Sequence, residues 1–526
     1  MTELTATGTL TRAILHRDGV RIAVWALAIA GLVVLTAASV KGLYPTQADL
    51  DEAAATEDSA AAIALNGPPH GLDTVGGQVA FQIGAWGMVA VGLMSLLLMT
   101  RNTRGEEESG RLDLVRATVV GRHAPPAAAL VVVGGVNVLV GAAVAFANVG
   151  YGLPTAGSLL FGAGFTIFGF VFAGVAAVTS QVTDNTRVAS GLAGAVLGAS
   201  YAIRAAGDVG DGTLSWFSPI GLVQKSRPYA GDVWWPLLIA LAVAAALAVL
   251  AAVLASHRDI GAGLVPPRPG PPKAGALLAG PMGLAVRLQR GTLLAWTVGL
   301  FLTGAAYGSI ADQIGDFADD SEAMEEIIAQ AGGGSLTDSF YATTVLMMAL
   351  ISTGYAIQSA LRLRSEEIAD RIEPLLATPT SRERWSASHL ATAVVGSLVV
   401  LAAGGLGAGL LAGIVTDDLG ELPRLVGSAL AYAPAVWLLV GLAVVLFGWV
   451  PRAALAAWAG LAFCFVVGVF GQLLDLPAWL VDVSPFQRVP QLPVADLDLV
   501  PLLVMTVVAA ALTSVGVAGF RRRDVG

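Results

Sequence analysis

The chain has 526 residues, of which 56% are hydrophobic and only 13% are charged, and its formal net charge is −9. Soluble proteins carry about 25% charged residues, so this composition excludes a chain of ordinary water-soluble domains. The single cysteine, Cys464, excludes an intramolecular disulfide and a cysteine-based metal cluster.

Long apolar runs follow one another along the whole chain. The first 21 residues include Arg12, Arg17 and Arg21 and lack the short apolar core and cleavage site of a signal peptide, so we expect the first run to be retained. A run of about 18 uncharged residues can cross the hydrocarbon core as a helix. Twelve transmembrane helices of an all-α polytopic membrane protein are therefore predicted, near residues 22–41, 78–100, 125–149, 156–180, 188–206, 236–255, 292–311, 340–361, 388–414, 426–449, 453–473 and 499–519.

The arginines and lysines indicate which side faces the cytoplasm. Cytoplasmic loops are enriched in these residues, and one side of the predicted topology holds 23 of the 29. We call it the basic face; it comprises residues 1–21, 101–124, 181–187, 256–290, 362–387, 450–452 and 520–526. The opposite loops are acidic, as in "DLDEAAATED" and "DQIGDFADDSEAMEE". We therefore expect both termini to be cytoplasmic.

The second part of the chain repeats the first in the same order. At an offset of 260, seven residues recur, from Arg104, Glu106, Glu107, Arg111, Ala117, Thr118 and Arg122 to Arg364, Glu366, Glu367, Arg371, Ala377, Thr378 and Arg382. At an offset of 265–266, Ser218-Pro219 recurs as Ser484-Pro485, and "HRDIG" (257–261) recurs as "RRDVG" (522–526). These matches predict two parallel six-helix halves, residues 1–262 and 284–526, joined by a Pro/Gly-rich cytoplasmic linker at 263–283.

Two charged loops of the basic face stand at the same point of each half, residues 101–124 (the first loop) and 362–387 (the second loop). Glu107 precedes Arg111 by four residues, and Glu367 precedes Arg371 likewise, which is the favourable order for an ion pair on a helix. Apolar residues three apart follow in both loops: Leu112, Val115, Ile372 and Leu375. Each loop is therefore predicted to be a short amphipathic helix; a solvated connector that only fixes the topology is the alternative.

The loop segments "EEESGRLDLVRAT" and "SEEIADRIEPLLATPTSRERW" resemble the signature of ABC-2-type permeases. The resemblance is to the fused twelve-span actinobacterial group of polyketide and tetronasin antibiotic exporters, and it extends over most of the chain. It implies a type V exporter-like fold in the bacterial cell membrane. It also implies export of hydrophobic compounds, hence a role in multidrug efflux and antibiotic resistance.

The resemblance further implies that both loops are coupling helices, which dock on two copies of a separate ABC ATPase subunit. The implied contact residues are Glu106, Glu107, Arg111, Arg122, Glu366, Glu367, Arg371 and Arg382. The copies differ where the first loop has Val119-Val120-Gly121 and the second has Pro379-Thr380-Ser381.

The lysines bear on whether this chain is itself the ATPase. A P-loop needs a lysine directly after a glycine, and Lys41, Lys225 and Lys273 all follow other residues. We expect a non-enzymatic permease subunit that binds no cofactor and no nucleic acid, with ATP and Mg on the partner subunits. The alternative is a proton-coupled secondary transporter with twelve spans. That class usually has a short basic turn between spans 2 and 3 and a buried ionisable group, whereas the first loop is long and acid-rich.

Spans 2 and 8 carry aromatic, methionine and amide side chains suited to an adaptable apolar pocket. The candidate substrate-path residues are Phe81, Gln82, Trp86, Met88, Tyr341, Met347, Met348, Tyr355 and Gln358; ordinary core packing is the alternative. Glycines four apart, Gly194/Gly198 and Gly405/Gly409/Gly413, predict close helix packing. Arg204 is expected to extend outward from span 5, with Asp208 as its partner. Short helices are expected around Ser218-Pro219 and Ser484-Pro485.

Overall fold

The computed structural model of this chain describes residues 3–56, 60–259, 261–266, 270, 272–273, 275, 278, 280–309, 311, 336–470 and 477–524. All regular secondary structure among these residues is helical, and no β-strand occurs among them. Twelve of the described helices are long and apolar enough to cross a membrane, which confirms the predicted all-α polytopic fold. The acidic stretch "DQIGDFADDSEAMEE" lies outside the described residues.

The chain forms two compact units, Met1–Gly270 and Pro271–Gly526. The membrane-length helices of the first unit, α1 to α6, are Thr7–Leu43, Val75–Asn102, Ala124–Gly150, Thr155–Val182, Thr186–Val209 and Trp235–Ser256. Those of the second unit, α7 to α12, are Pro281–Gly308, Leu336–Ala360, Arg382–Val415, Glu421–Trp449, Pro451–Gly468 and Leu499–Arg522. Each predicted apolar run falls on one of these helices, and the boundary between the units lies in the segment predicted to be a linker.

The first helix of each unit begins well before its apolar run, α1 at Thr7 and α7 at Pro281. The hydropathy pattern locates the ends of the apolar run, which need not be the ends of the helix. A helix can extend beyond its apolar run where its polar residues find partners. Asp18 in α1 and Gln289 in α7 are such residues, because both are buried against their own unit. Each stands seven residues before a tryptophan, Trp25 or Trp296, so the two positions correspond.

The α4 helix is central to the first unit, where it packs against α2, α3 and α6. The α4 helix carries phenylalanines at helical spacing: Phe161, Phe165, Phe168 and Phe172. Gly87 of α2 leaves room for one of them, since a Cβ at this position would lie 2.5 Å from the Phe165 ring. Within a bilayer, such fitted packing holds helices together because exclusion of water contributes little there.

The predicted glycine contacts occur in the second unit but not in the first. Gly405 and Gly409 face α10, and Gly413 faces the turn that precedes it; a Cβ on Gly409 would lie 2.6 Å from the Leu422 Cα. A Cβ on Gly194 or Gly198 would meet no described atom within 4 Å, so that prediction is wrong. The buried stripe of α5 runs along another side of the helix, through Ala189, Ala193, Leu197, Ser200 and Arg204.

Arg204 does not extend outward as predicted; it is buried beneath the loop that follows α1. Its Nη1 and Nη2 groups donate to the carbonyl oxygens of Ile63 and Leu65, both at 3.1 Å. These carbonyls end the short helix Ala60–Asn66, where the helix dipole attracts a cation. Asp208 is its ion-pair partner at 3.7 Å, as predicted.

The short helices expected near the last span of each half are present. Leu214–Phe217 and Pro219–Gln224 flank Ser218, whose Oγ accepts a hydrogen bond from the Gly221 amide at 3.3 Å. In the second unit, Ala478–Val481 and Pro485–Arg488 flank Ser484. A serine before a proline can cap the start of such a helix; Ser218 does so, whereas the side chain of Ser484 makes no capping hydrogen bond.

Candidate coupling site

Each charged loop contains two short helices with a break between them. They are Arg104–Glu108 and Arg111–Arg116 in the first loop, and Arg362–Ile368 and Ile372–Leu376 in the second. A residue with positive φ stands in each break, Gly110 at +70° and Asp370 at +52°. The left-handed conformation does not continue a right-handed helix. The prediction of one continuous helix per loop is therefore wrong.

Glu107 attaches the first loop to the segment that follows α6. Both carboxylate oxygens accept hydrogen bonds from Arg258, at 2.6 Å from Nη2 and 2.9 Å from Nη1. Arg104 donates a third at 2.7 Å. The side chains of Glu107 and Arg258 are only 10% and 8% exposed, so this bidentate ion pair is shielded from water. Its charge-assisted hydrogen bonds are stronger than hydrogen bonds between neutral groups.

Glu367 makes the corresponding contact in the second unit, where Arg523 Nη2 donates to its carboxylate at 2.6 Å. Arg258 and Arg523 hold the same place in "HRDIG" and "RRDVG". We call the pairs Glu107–Arg258 and Glu367–Arg523 the loop clamps. Because each loop helix is broken, these glutamates pair with arginines 151 and 156 residues further on. The predicted pairing with Arg111 and Arg371 is wrong.

Arg122 and Arg382 support the clamps by holding the end of the same helices. Arg122 Nη2 lies 3.3 Å from the Ser256 carbonyl oxygen, at the end of α6. Arg382 Nη1 lies 3.3 Å from the Arg521 carbonyl oxygen and 2.7 Å from that of Arg523, at the end of α12. A guanidinium at the last carbonyls of a helix satisfies acceptors that have no partner in the helix.

The other loop residues predicted to contact a partner form ion pairs within their own unit. Glu106 pairs with Arg17 at 2.7 Å and more weakly with Arg111 at 3.7 Å. Glu366 pairs with Arg362 at 2.5 Å and with Arg371 at 3.5 Å. The side chains of Arg111 and Arg371 are both 61% exposed, so these two arginines are the most available to a partner.

The sequence difference between the loops has a structural cause at Gly121. The Gly121 and His123 amides donate to the Thr5 and Glu3 carbonyl oxygens, both at 3.1 Å, so the N-terminal segment crosses the loop here. A Cβ on Gly121 would lie 2.2 Å from the Glu3 carbonyl oxygen. In the second loop the corresponding Ser381 caps α9, its Oγ accepting from the Arg384 amide at 3.2 Å.

Both loops also present apolar side chains to solvent. Leu114 is 75% exposed in the first loop, and Ile368 is 68% exposed in the second. The helix Arg111–Arg116, all of which is described, buries none of its residues, whereas Ile372 of the corresponding helix is buried. Leu114 and Ile368 are thus apolar side chains that the rest of their own unit leaves uncovered.

Sequence reasoning missed Arg258 and Arg523 as members of the site, although the repeated "RD" dipeptide that contains them was visible. Their role depends on a contact between distant parts of the chain, which an offset between repeats does not reveal. It also missed Asp18, whose carboxylate is buried and contacts Arg21 and Arg101, both at 3.2 Å.

The candidate substrate-path residues do not share one environment. Phe81 and Met88 are buried and line a small cavity of about 40 Å³ with Phe161 and Gln224. The buried candidates of the second unit are Tyr341, Met348 and Tyr355. Met347 and Gln82 are half-buried, and Trp86 and Gln358 are exposed. The two exposed candidates make polar contacts: Trp86 Nε1 donates to the Asn66 side chain at 3.3 Å, and Gln358 Oε1 accepts from Trp296 at 2.8 Å.

The chain is similar in sequence to a known family of membrane proteins. Residues 278–521 match a family model described as "Multidrug efflux system permease Rv1217c, C-terminal domain". The multidrug efflux system permease protein Rv1217c of Mycobacterium tuberculosis is 42% identical over 526 residues, which is 99% of this chain and 95% of the relative. The chain belongs to this permease family. The matched domain of the permease includes the second loop, with Glu367 and Arg382, and ends two residues before Arg523.

Proposed function

We propose that this permease is the membrane subunit of an ATP-driven ABC exporter of hydrophobic compounds, including drugs and antibiotics. The observation that carries the proposal is the loop clamp. Each half joins a charged loop of the basic face to the end of its last membrane helix through a buried or half-buried ion pair. A force applied to the loop is thereby passed to a membrane helix, as coupling to an external motor requires. The family relationship to a multidrug efflux permease supports the export of drugs.

In this proposal two copies of an ABC ATPase subunit bind the first and second loops from the cytoplasm and supply ATP and Mg. The contact surface comprises the exposed side chains Leu114, Arg111, Ile368 and Arg371. Glu107, Arg122, Glu367 and Arg382 act inside the chain and transmit movement. The nine aromatic, methionine and amide candidates of spans 2 and 8 remain proposals for the substrate path, and Phe81 and Met88 among them line the small cavity of the first unit.

The decisive experiment is affinity purification of the permease from its native membrane, with the ratio of co-purifying ATPase measured. We expect the double variant Leu114→Asp, Ile368→Asp to lose most of that ATPase, because an exposed apolar contact becomes a buried charge. Val265→Asp, at another exposed apolar residue of the basic face, is the matched control and should retain it. Transport that ignores ATP and stops when the proton gradient collapses would establish the secondary transporter instead.

A further inference from the structure

We propose that the first half binds one phosphate-bearing anionic lipid in a groove between α1, α2 and α5, in the leaflet at the basic face. The groove has a volume of about 450 Å³. Arg21, Arg101 and Arg111 line its polar part, and Trp25 and Leu97 line its apolar part. The inference goes beyond the proposed function and does not depend on it.

The position of the groove along the helices matches the depth of lipid headgroups. Arg21 directly precedes the apolar run of α1, and Arg101 directly follows that of α2. Ser190, which lies near the start of the apolar run of α5, completes the wall. Arginine and tryptophan concentrate at this boundary in membrane proteins. A bound headgroup would therefore sit among the guanidiniums while its acyl chains pass Trp25.

Asp18 fixes the arginines of the groove in place. Its buried carboxylate contacts Arg21 and Arg101 at 3.2 Å each and Arg17 at 3.4 Å. Arg101 uses only its Nε for this contact, so its two Nη groups point to no described acceptor. One carboxylate thus orders three guanidiniums, which reduces the entropy that a ligand would otherwise have to remove.

The charges of the groove leave an excess that an anion would balance. Arg111 and Arg17 share Glu106, at 3.7 and 2.7 Å, so four guanidiniums and two carboxylates form one cluster, of which Arg21, Arg101, Arg111 and Glu106 line the groove. This excess of positive charge suits the single negative charge of a phosphodiester headgroup. Basic pockets between membrane helices at the cytoplasmic side bind anionic headgroups in this way. The apolar wall favours a lipid over a soluble phosphate, which would leave Trp25 and Leu97 in water.

The second half does not repeat this arrangement in its described residues. Gln289 stands at the position of Asp18, and it bonds to Ser359 and to His389, the latter at 3.3 Å. The neutral amide gathers no arginines around itself. Arg371 nevertheless matches Arg111 in exposure. The second half therefore supplies a matched control for charge removal.

The test is native mass spectrometry of the full-length permease released from phosphatidylcholine nanodiscs that contain phosphatidylglycerol. We expect the wild type to retain one phosphatidylglycerol molecule. The variant Arg21→Gln, Arg111→Gln should bind it roughly 30-fold more weakly, since each guanidinium near the surface contributes about a fivefold factor. The variant Arg290→Gln, Arg371→Gln removes two exposed charges from the second half and should retain the lipid.

A second measurement uses the wild type alone, so that it survives any folding defect of the variants. Photoactivatable phosphatidylglycerol should label the peptides that contain Trp25 or Leu97. Labelling confined to other helices would overturn the proposal, as would equal retention of lipid by both variants. Equal retention of phosphatidylcholine would overturn it too, because charge would then be irrelevant. Competition by glycerol 1-phosphate at the affinity of the lipid would show a site for soluble anions instead.

Discussion

Glu107 is the loop residue whose replacement we expect to cost most stability. Its carboxylate is the shared acceptor of Arg104 and Arg258, and loss of one member of a buried ion pair costs roughly 3–5 kcal/mol. Glu107→Gln should therefore lower the melting temperature of the purified permease clearly. Glu367→Gln should lower the melting temperature less, because it costs only roughly 1–2 kcal/mol of the free energy of unfolding. Glu367 has one arginine partner and is more exposed than Glu107. Equal losses in the two variants would contradict this ranking.

His70 gives the first unit a pH-dependent stability. Burial, together with the nearby Arg227 and Lys225, lowers the pKa of His70 below its ordinary value of 6.5. The unfolded chain then takes up a proton at a higher pH than the folded chain, so stability present above pH 6.5 is lost as the pH falls below it. His70→Gln should flatten the fall in melting temperature between about pH 7 and about pH 5. An equally steep fall in His70→Gln and in the wild type would contradict this assignment.

At the scale of elements, the loop ends are adapted to different neighbours. Gly121→Ser should displace the segment Glu3–Thr5, because the new side chain meets the Glu3 carbonyl oxygen; overpacking of this kind costs roughly 1–3 kcal/mol. The reciprocal Ser381→Gly should lower the free energy of unfolding by only about 0.3 kcal/mol, since glycine also serves as an N-cap. Amide hydrogen exchange at residues 3–12 measures the effect. Unchanged exchange in Gly121→Ser would refute the proposed crossing contact.

Helix existence was predictable because a membrane span needs a long apolar run, and all twelve runs fall on helices. The starts of helices were less predictable: α1 begins fifteen residues before its apolar run because Asp18 and the nearby arginines find partners. The break within each loop escaped prediction: glycine and aspartate adopt positive φ more readily than most residues, but the residue types alone do not fix that conformation at Gly110 and Asp370. Glu107 and Arg122 were identified as important, but their partners lie over 130 residues away, beyond what local spacing can show.

For the whole molecule, the clamps make a prediction that separates binding from transmission. The double variant Arg258→Gln, Arg523→Gln leaves the exposed loop surface intact and cuts the ion pairs to the last helices. Under the proposed function, the ATPase should still co-purify, while drug transport in proteoliposomes falls at least about tenfold, as for a coupling energy of roughly 1.4 kcal/mol. Arg488→Gln, which removes an exposed ion pair with Asp482, should transport normally. Loss of the ATPase from the double variant would instead assign both arginines to docking.

The two loops also differ in how much order a partner would have to create. The helix Arg111–Arg116 buries none of its residues, whereas Ile372 anchors its counterpart. A segment with few buried contacts opens locally at low free energy, and ordering it on association weakens affinity. Under the proposed function, the second loop is preorganised and captures its ATPase first. The first loop folds onto the other copy afterwards, so assembly of the exporter has a built-in sequence.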